Sequence, residues 1–121
     1  MEKIKALLHI DEPGKWRLTL GNTKNFIEDV GVEHAVVEIV ANATAVQIFD
    51  SKDKNIDQDI RNLLTQMKEL SNNNVTIIAC RNALQANSIN EELLPNFVTV
   101  VPAGITRIII KQTEGYSYIK P

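Results

Sequence analysis

Short apolar runs rich in β-branched residues alternate along this chain with stretches of helical periodicity. That alternation leaves few folds open. The runs lie at Ile4–Ile10, His34–Val40, Val75–Ala79, Phe97–Val101 and Tyr116–Lys120. The first is nearly continuous in apolar residues (Ala6, Leu7, Leu8), as expected of a strand covered on both faces. Between the runs, helical patterns are expected over Lys15–Val30, Asn55–Leu70 and Arg81–Ala86, and from Pro102-Ala103-Gly104 to about Gln112. Strands that alternate with helices predict a mainly parallel sheet with helices on both faces, joined by right-handed crossovers.

The expectation is an α/β protein, a three-layer α/β/α sandwich around a five-stranded sheet of the flavodoxin-like kind. At 121 residues, 1–121 suits one domain with a single core. The clearest helix places Ile56, Ile60, Leu63, Leu64, Met67 and Leu70 on one face, with Asn55 as N-cap and Gln58 completing a capping box. Gly31 follows the last apolar position of the first helix and suits its C-terminal end. Ala45–Phe49 is a short helix or a strand continuation, because periodicity cannot decide so short a run. In the last helix Ile105, Ile108 and Ile109 are expected on the inner face. With Ile110 they make that helix apolar nearly all round, which deep burial or a subunit interface would explain. An oligomer is favoured over a monomer.

In open parallel sheets, ligands bind beyond the carboxyl ends of the strands. That rule sends His9, Asn42–Thr44, Cys80–Asn82 and Pro102–Gly104 to one rim. Cys80 is the only cysteine. At a helix N-terminus its thiolate would be favoured by unpaired backbone N–H groups, with Arg81 adding positive charge. The alternative is a small packed hydrophobe, a common fate of free cysteine. His9 is a base or a polar contact to a ligand, or else caps strand-end carbonyls. Asn42, Asn82 and the backbone at Gly104 complete the candidate ligand-binding set. His34 starts the second strand at the opposite rim and reads as structural. Asp11 and Glu12 read as turn residues beside Pro13-Gly14.

Composition limits the chemistry. The net charge is −2 and no Lys/Arg cluster stands out, so neither nucleic acid nor an anionic membrane is an expected partner. The first residues lead into too few apolar positions for a signal peptide or a membrane span. One cysteine forms no internal disulfide, so a reducing cytoplasm is the expected location. One cysteine and two histidines make a structural zinc site improbable, and no glycine-rich phosphate loop is present. Neither metal nor cofactor is expected.

Several blocks are familiar together. They are the strand ending in His9, Val-Val-Glu-Ile-Val-Ala-Asn at 36–42, Ala-Cys-Arg-Asn-Ala-Leu at 79–84, Val-Val-Pro-Ala-Gly-Ile at 100–105 and the ending Gln-Thr-Glu-Gly-Tyr-Ser-Tyr-Ile-Lys-Pro at 112–121. On these blocks the chain resembles the DsrE/DsrF-like family, with its YchN-like fold, over nearly its whole length. Its close relatives look like a stand-alone subgroup. The resemblance implies a sulfur-relay role. Better-understood members serve sulfur oxidation and tRNA thiolation, hold sulfur on a cysteine after the central strand, and assemble as trimers or hexamers. The family pattern places Ala three residues after that cysteine, Gln near five, and Gly followed by Val or Ile near eight and nine. Here Cys80 is followed by Ala83, Gln85, Ser88 and Ile89. Serine thus stands where the family has glycine, and Asn42-Ala43 stands where it often has Asn-Gly.

Two functions follow as expectations. One is a sulfurtransferase-type carrier that holds sulfane sulfur as a persulfide on Cys80, served by a donor or acceptor protein. The other is a non-catalytic oligomeric binding protein, or a structural subunit, with Cys80 packed.

Overall fold

In the computed structural model, which describes residues 2–51 and 57–121, the apolar runs become five parallel strands. They are β1 (Ile4–Ile10), β2 (Ala35–Ala41), β3 (Val75–Cys80), β4 (Val98–Val101) and β5 (Ser117–Ile119), in the spatial order β4-β3-β2-β1-β5. The register pairs His9 with Val40, Val40 with Ile78, and Cys80 with Val101. Between the strands run α1 (Trp16–Val30), α2 (Gln58–Ser71), α3 (Arg81–Ala86) and α4 (Gly104–Thr113). No helix among the described residues is long and apolar enough to cross a membrane.

The path of the chain decides which helix covers which face. From β1 to β4 it steps one strand at a time in one direction. Right-handed crossovers therefore put α1, α2 and α3 on the same face. From β4 it must return across the sheet to β5, so α4 lies on the other. Two apolar clusters result. Leu8, Ile39 and Ile77 pack with Trp16, Met67 and Leu84 on the three-helix face. Leu7, Val40 and Ile78 pack with Ile108 on the α4 face. Residues two apart along each strand point to the same side, so His9, Asn42 and Cys80 continue the α4 face toward the rim.

The short segment left open between helix and strand is helical, and local elements differ from expectation in three further places. Residues Ala43–Phe49 form a 3-10 helix. It is held by Trp16, whose indole N–H donates to the Ala45 carbonyl at 3.0 Å and whose ring meets Phe49 edge-on. The cap of α2 is Asp57, whose carboxylate accepts from the Asp59 N–H at 2.8 Å. Gln58 instead donates to Asn62, and Asn55 and Ile56 lie outside the described residues. His34 closes a 3-10 turn just before β2 rather than opening the strand.

The third difference is the rotation of α4. Of the isoleucines expected to face inward, only Ile108 is buried, while Ile105 and Ile109 are exposed at 61% and 58%. The cause is Glu38, a buried carboxylate in the middle of β2. A buried charge must be paired. Arg107 donates to both of its oxygens at 2.8 Å, and the Lys111 ammonium lies 3.4 Å away. Arg107 and Lys111 are four residues apart and share one helical stripe. Turning that stripe to the sheet turns Ile105 and Ile109 outward.

Candidate functional site

The rim is built by the last residues of β1, β2 and β3. His9, the penultimate residue of β1, lies on the α4 face and Asn42 follows β2 directly. The imidazole Nε2 of His9 lies 3.0 Å from Asn42 Oδ1, and Nδ1 lies 2.7 Å from the Tyr118 hydroxyl of β5. An amide oxygen can only accept, so Nε2 carries the ring proton. In the neutral ring Nδ1 then accepts from the Tyr118 hydroxyl. His9 therefore spends its nitrogens on side chains, not on strand-end carbonyls.

Asn42 lies between His9 and Cys80, because β2 runs between β1 and β3. Cys80 is 7% exposed. It touches both sides of the rim. It joins the apolar cluster that includes Ala83 and Leu84 of α3. From the other side Gly104, the first residue of α4, comes so close that an added Cβ would lie 3.3 Å from the Cys80 Cβ and 3.5 Å from the Asn42 Cβ. The thiol thus sits at the point where α3 and α4 leave neighbouring strands for opposite faces, covered by Gly104. Such a divergence is where open α/β sheets place their ligands.

The structure brings His9, Asn42, Cys80 and Gly104 together. It does not bring the Arg81 guanidinium to the thiol. Arg81 Nε and Nη2 donate to the two oxygens of Glu91 at 2.7 and 3.2 Å. The hydrogen bond from Arg81 is the main reason that the Glu91 carboxyl is held below its ordinary range, and the same bond raises Arg81. Asn82 follows Arg81 in the first turn of α3 and is exposed. Among the described residues no group of three or more His, Cys, Asp or Glu side chains could hold a metal ion.

Further residues shape the rim. Tyr118 is set beside His9 by the pairing of β5 with β1, which places it opposite Leu7. Its only sequence signal is the alternation Tyr116-Ser117-Tyr118. Asn87 ties the loop after β2 to α3. Its amide donates to the Ala43 and Ala83 carbonyls at 3.1 and 2.8 Å and accepts from Gln47 at 3.1 Å. Ala43 and Ser88 have φ of 49° and 57°. The loops thus keep the left-handed backbone that suits glycine, although neither residue is glycine.

Glu38, Arg107 and Lys111 anchor α4 below this rim. The Arg107 guanidinium is held above its ordinary range, first by its hydrogen bonds to Glu38. The Lys111 ammonium is raised chiefly by its hydrogen bond to Glu114, with Glu38 contributing. A Glu in the middle of an otherwise apolar strand is the signal in the sequence for this anchor.

An all-parallel sheet between three helices and one, with a thiol at the strand end where two helices part, defines the class. It is an α/β protein of YchN-like fold. The chain belongs to the DsrE/DsrF-like family, whose pattern matches residues 11–121. A protein of unknown function, MTH1491 from Methanobacterium thermoautotrophicum, has a similar structure. It shares 28% identity over 98% of this chain and 99% of its own, with a TM-score of 0.81. The ychN protein from E. coli matches over the full length of both chains at 14% identity and a TM-score of 0.65, a likeness of fold. No curated protein sequence matches the chain.

Proposed function

We propose that this protein is a sulfur carrier that holds sulfane sulfur as a persulfide on Cys80. The observation that carries the reading is the position of Cys80 at the carboxyl end of β3, where α3 and α4 part to opposite faces and open sheets of this kind bind their ligands, in a chain of the DsrE/DsrF-like family. The step balances without an oxidant. The Cys80 thiolate attacks the outer sulfur of a donor persulfide, a new S–S bond forms at Sγ, the donor's S–S bond breaks, and the donor leaves as its thiolate. Passing the sulfur on repeats the exchange with an acceptor thiolate. A reducing compartment such as the cytoplasm suits this chemistry. Because Cys80 is 7% exposed, a donor must displace some of the cover that Gly104 supplies.

The exposed isoleucines of α4 support a second element of the proposal, a homo-oligomer such as a trimer or hexamer. Ile105, Ile109 and Ile110 are all exposed on one short helix, and apolar surface of this kind marks interaction sites.

The test is intact mass after incubation with thiosulfate, from which sulfite departs when the thiolate takes the sulfane sulfur. Wild-type protein gains the mass of one sulfur atom and Cys80→Ser does not. A wild type that gains nothing, or a variant that gains it equally, removes the carrier reading. Burial of the thiol favours the competing reading, a ligand-binding or structural subunit with a packed cysteine. Under it Cys80 resists iodoacetamide at neutral pH until the protein is denatured. Under the carrier reading it labels in the native state.

A further inference from the structure

The two helices that part at Cys80 are held in place unequally. On the α3 side the fastening is dense. The Asn87 amide donates to the Ala43 and Ala83 carbonyls at 3.1 and 2.8 Å and accepts from Gln47 at 3.1 Å. Arg81 holds Glu91 through two hydrogen bonds. Ala83, Leu84 and Ile89 are buried, and the Ile89 N–H donates to the Leu84 carbonyl at 2.9 Å. On the other side, the first turn of α4, Gly104 to Thr106, puts no side chain into the core. Gly104 is buried but has none, and Ile105 and Thr106 are exposed. Ala103 stands at the N-cap position without a side-chain acceptor. The hydrogen bond from the Arg107 N–H to the Ala103 carbonyl is long, at 3.3 Å. The anchors of the helix begin only at Arg107, which pairs with Glu38, and at Ile108, which is buried. A cavity of about 200 Å³, lined by Val101, Pro102, Ala103, Thr106, Arg107 and Ile110, lies beside the turn.

We propose that the first turn of α4 is the gate of the site. It unwinds as far as Thr106 while the rest of the helix stays on the sheet, and so uncovers Cys80 to a sulfur donor arriving from the α4 face. The inference rests on the sulfur-carrier reading and adds the route by which the thiol is reached. A segment opens alone where few buried contacts and few hydrogen bonds hold it. Here the opening gives up the close approach of Gly104 to Cys80, Val40 and Asn42. Glycine also weakens the turn, because its backbone loses the most freedom on ordering. Glu38 keeps Arg107 and Lys111 throughout, so no buried charge is left unpaired. The cavity gives the released turn room at its side. Opening α3 instead would break the contacts of Asn87 and Arg81 and uncover Leu84 and Ile89. Ile109 and Ile110 lie beyond the turn, so an assembly that packs on them leaves it free to open.

The experiment measures how fast iodoacetamide labels Cys80 in the native full chain, in rising urea, beside amide hydrogen exchange. Opening of one turn exposes little surface, so the urea dependence of labelling should be a small fraction of that of global unfolding. The Arg107 amide should show the same shallow dependence, and the Ile89 amide should be better protected. Ala103→Ser supplies the missing cap, an oxygen for the Ile105 or Thr106 N–H, on a backbone that is already extended. It should slow labelling in the absence of urea about fivefold, the factor that one N-cap is worth. Ala103→Asn offers a similar acceptor from a different side chain and should agree. Slower exchange at Ile105 or Thr106 shows that the cap has formed. A full urea dependence in wild type overturns the proposal, since the thiol then labels only on global unfolding. So does an Ile89 amide less protected than that of Arg107, which would place the opening at α3. So does labelling that a formed cap leaves unchanged. Sulfur uptake from thiosulfate separates this inference from the carrier reading. A wild type that labels through the gate but gains no sulfur removes the carrier reading and leaves the gate standing.

Discussion

Gly104 of α4 lies directly over Cys80 of β3, so that a Cβ on residue 104 would stand 3.3 Å from the Cys80 Cβ and 3.3 Å from Val40 Cγ1. Both neighbours belong to interior strands and have little freedom to yield. Alanine favours a helix by at most about 1 kcal/mol over glycine, while overpacking a close contact costs about 1–3 kcal/mol. The balance predicts that Gly104→Ala lowers stability by roughly 1 kcal/mol. It also pushes the start of α4 off the thiol, so iodoacetamide should label Cys80 faster than in wild type. Urea denaturation and native-state labelling rates check the two halves of this prediction.

The opposite sign is expected at Ala43 and Ser88. Their φ values of 49° and 57° place L-residues in the left-handed region. That conformation costs about 1–2 kcal/mol. Glycine removes the cost but returns about 0.4–1 kcal/mol through the unfolded chain. Ala43→Gly and Ser88→Gly should each stabilise by about 0.5–1 kcal/mol. A lower urea midpoint for either variant would contradict the assignment of strain to these loops.

Glu38 holds α4 to the sheet. Its side chain is 6% exposed, against 30% for Arg107 and 16% for Lys111. Removing one partner of a buried pair leaves the other charge uncompensated, at a cost of about 3–5 kcal/mol. Arg107 is partly solvated, which points to the lower end for Glu38→Ala, about 3 kcal/mol. A companion double variant, Glu38→Leu with Arg107→Leu, should recover most of the loss, because a buried ion pair and a matched apolar pair are often equivalent. Thermal melts of wild type, Glu38→Ala and the double variant decide this.

The contact between Arg81 and Glu91 makes a prediction in pH. Glu91 is held below its ordinary value of 4.5, chiefly by its hydrogen bond from Arg81. Its folded value is therefore lower than its unfolded one. The contribution is complete above the unfolded value and is lost as pH falls through the folded one. The link between α3 and the turn at Glu91–Leu93 should open only in acid below about pH 4.5. Carboxyl NMR titration should place the Glu91 midpoint below the ordinary value in wild type and return it there in Arg81→Gln. An unmoved midpoint would mean that the pair does not persist in solution.

How much of this was legible beforehand differs by residue. Cys80 could be placed on the rim from its position after Val75–Ala79, because strand ends follow from the local pattern and a parallel sheet brings all carboxyl ends to one side. His9 and Asn42 followed by the same rule, and the pairing between them is found at 3.0 Å. Tyr118 was not legible as a site residue. It meets His9 across 109 positions of sequence, a contact created by β5 joining the far side of β1. Arg81 misled for a related reason: its neighbour in sequence is Cys80, but its partner in space is Glu91.

The sequence by itself determined the layers of this protein, since β-branched runs and helical stripes act over a few residues and specify strand or helix locally. It determined that one thiol would reach the rim. The tertiary structure alone decided the strand order, the rotation of α4 and the chain of contacts from Tyr118 to Asn42. Those depend on pairings between distant segments. A buried Glu38 turns Arg107 and Lys111 inward and Ile105 and Ile109 outward only because β2 and α4 are packed together.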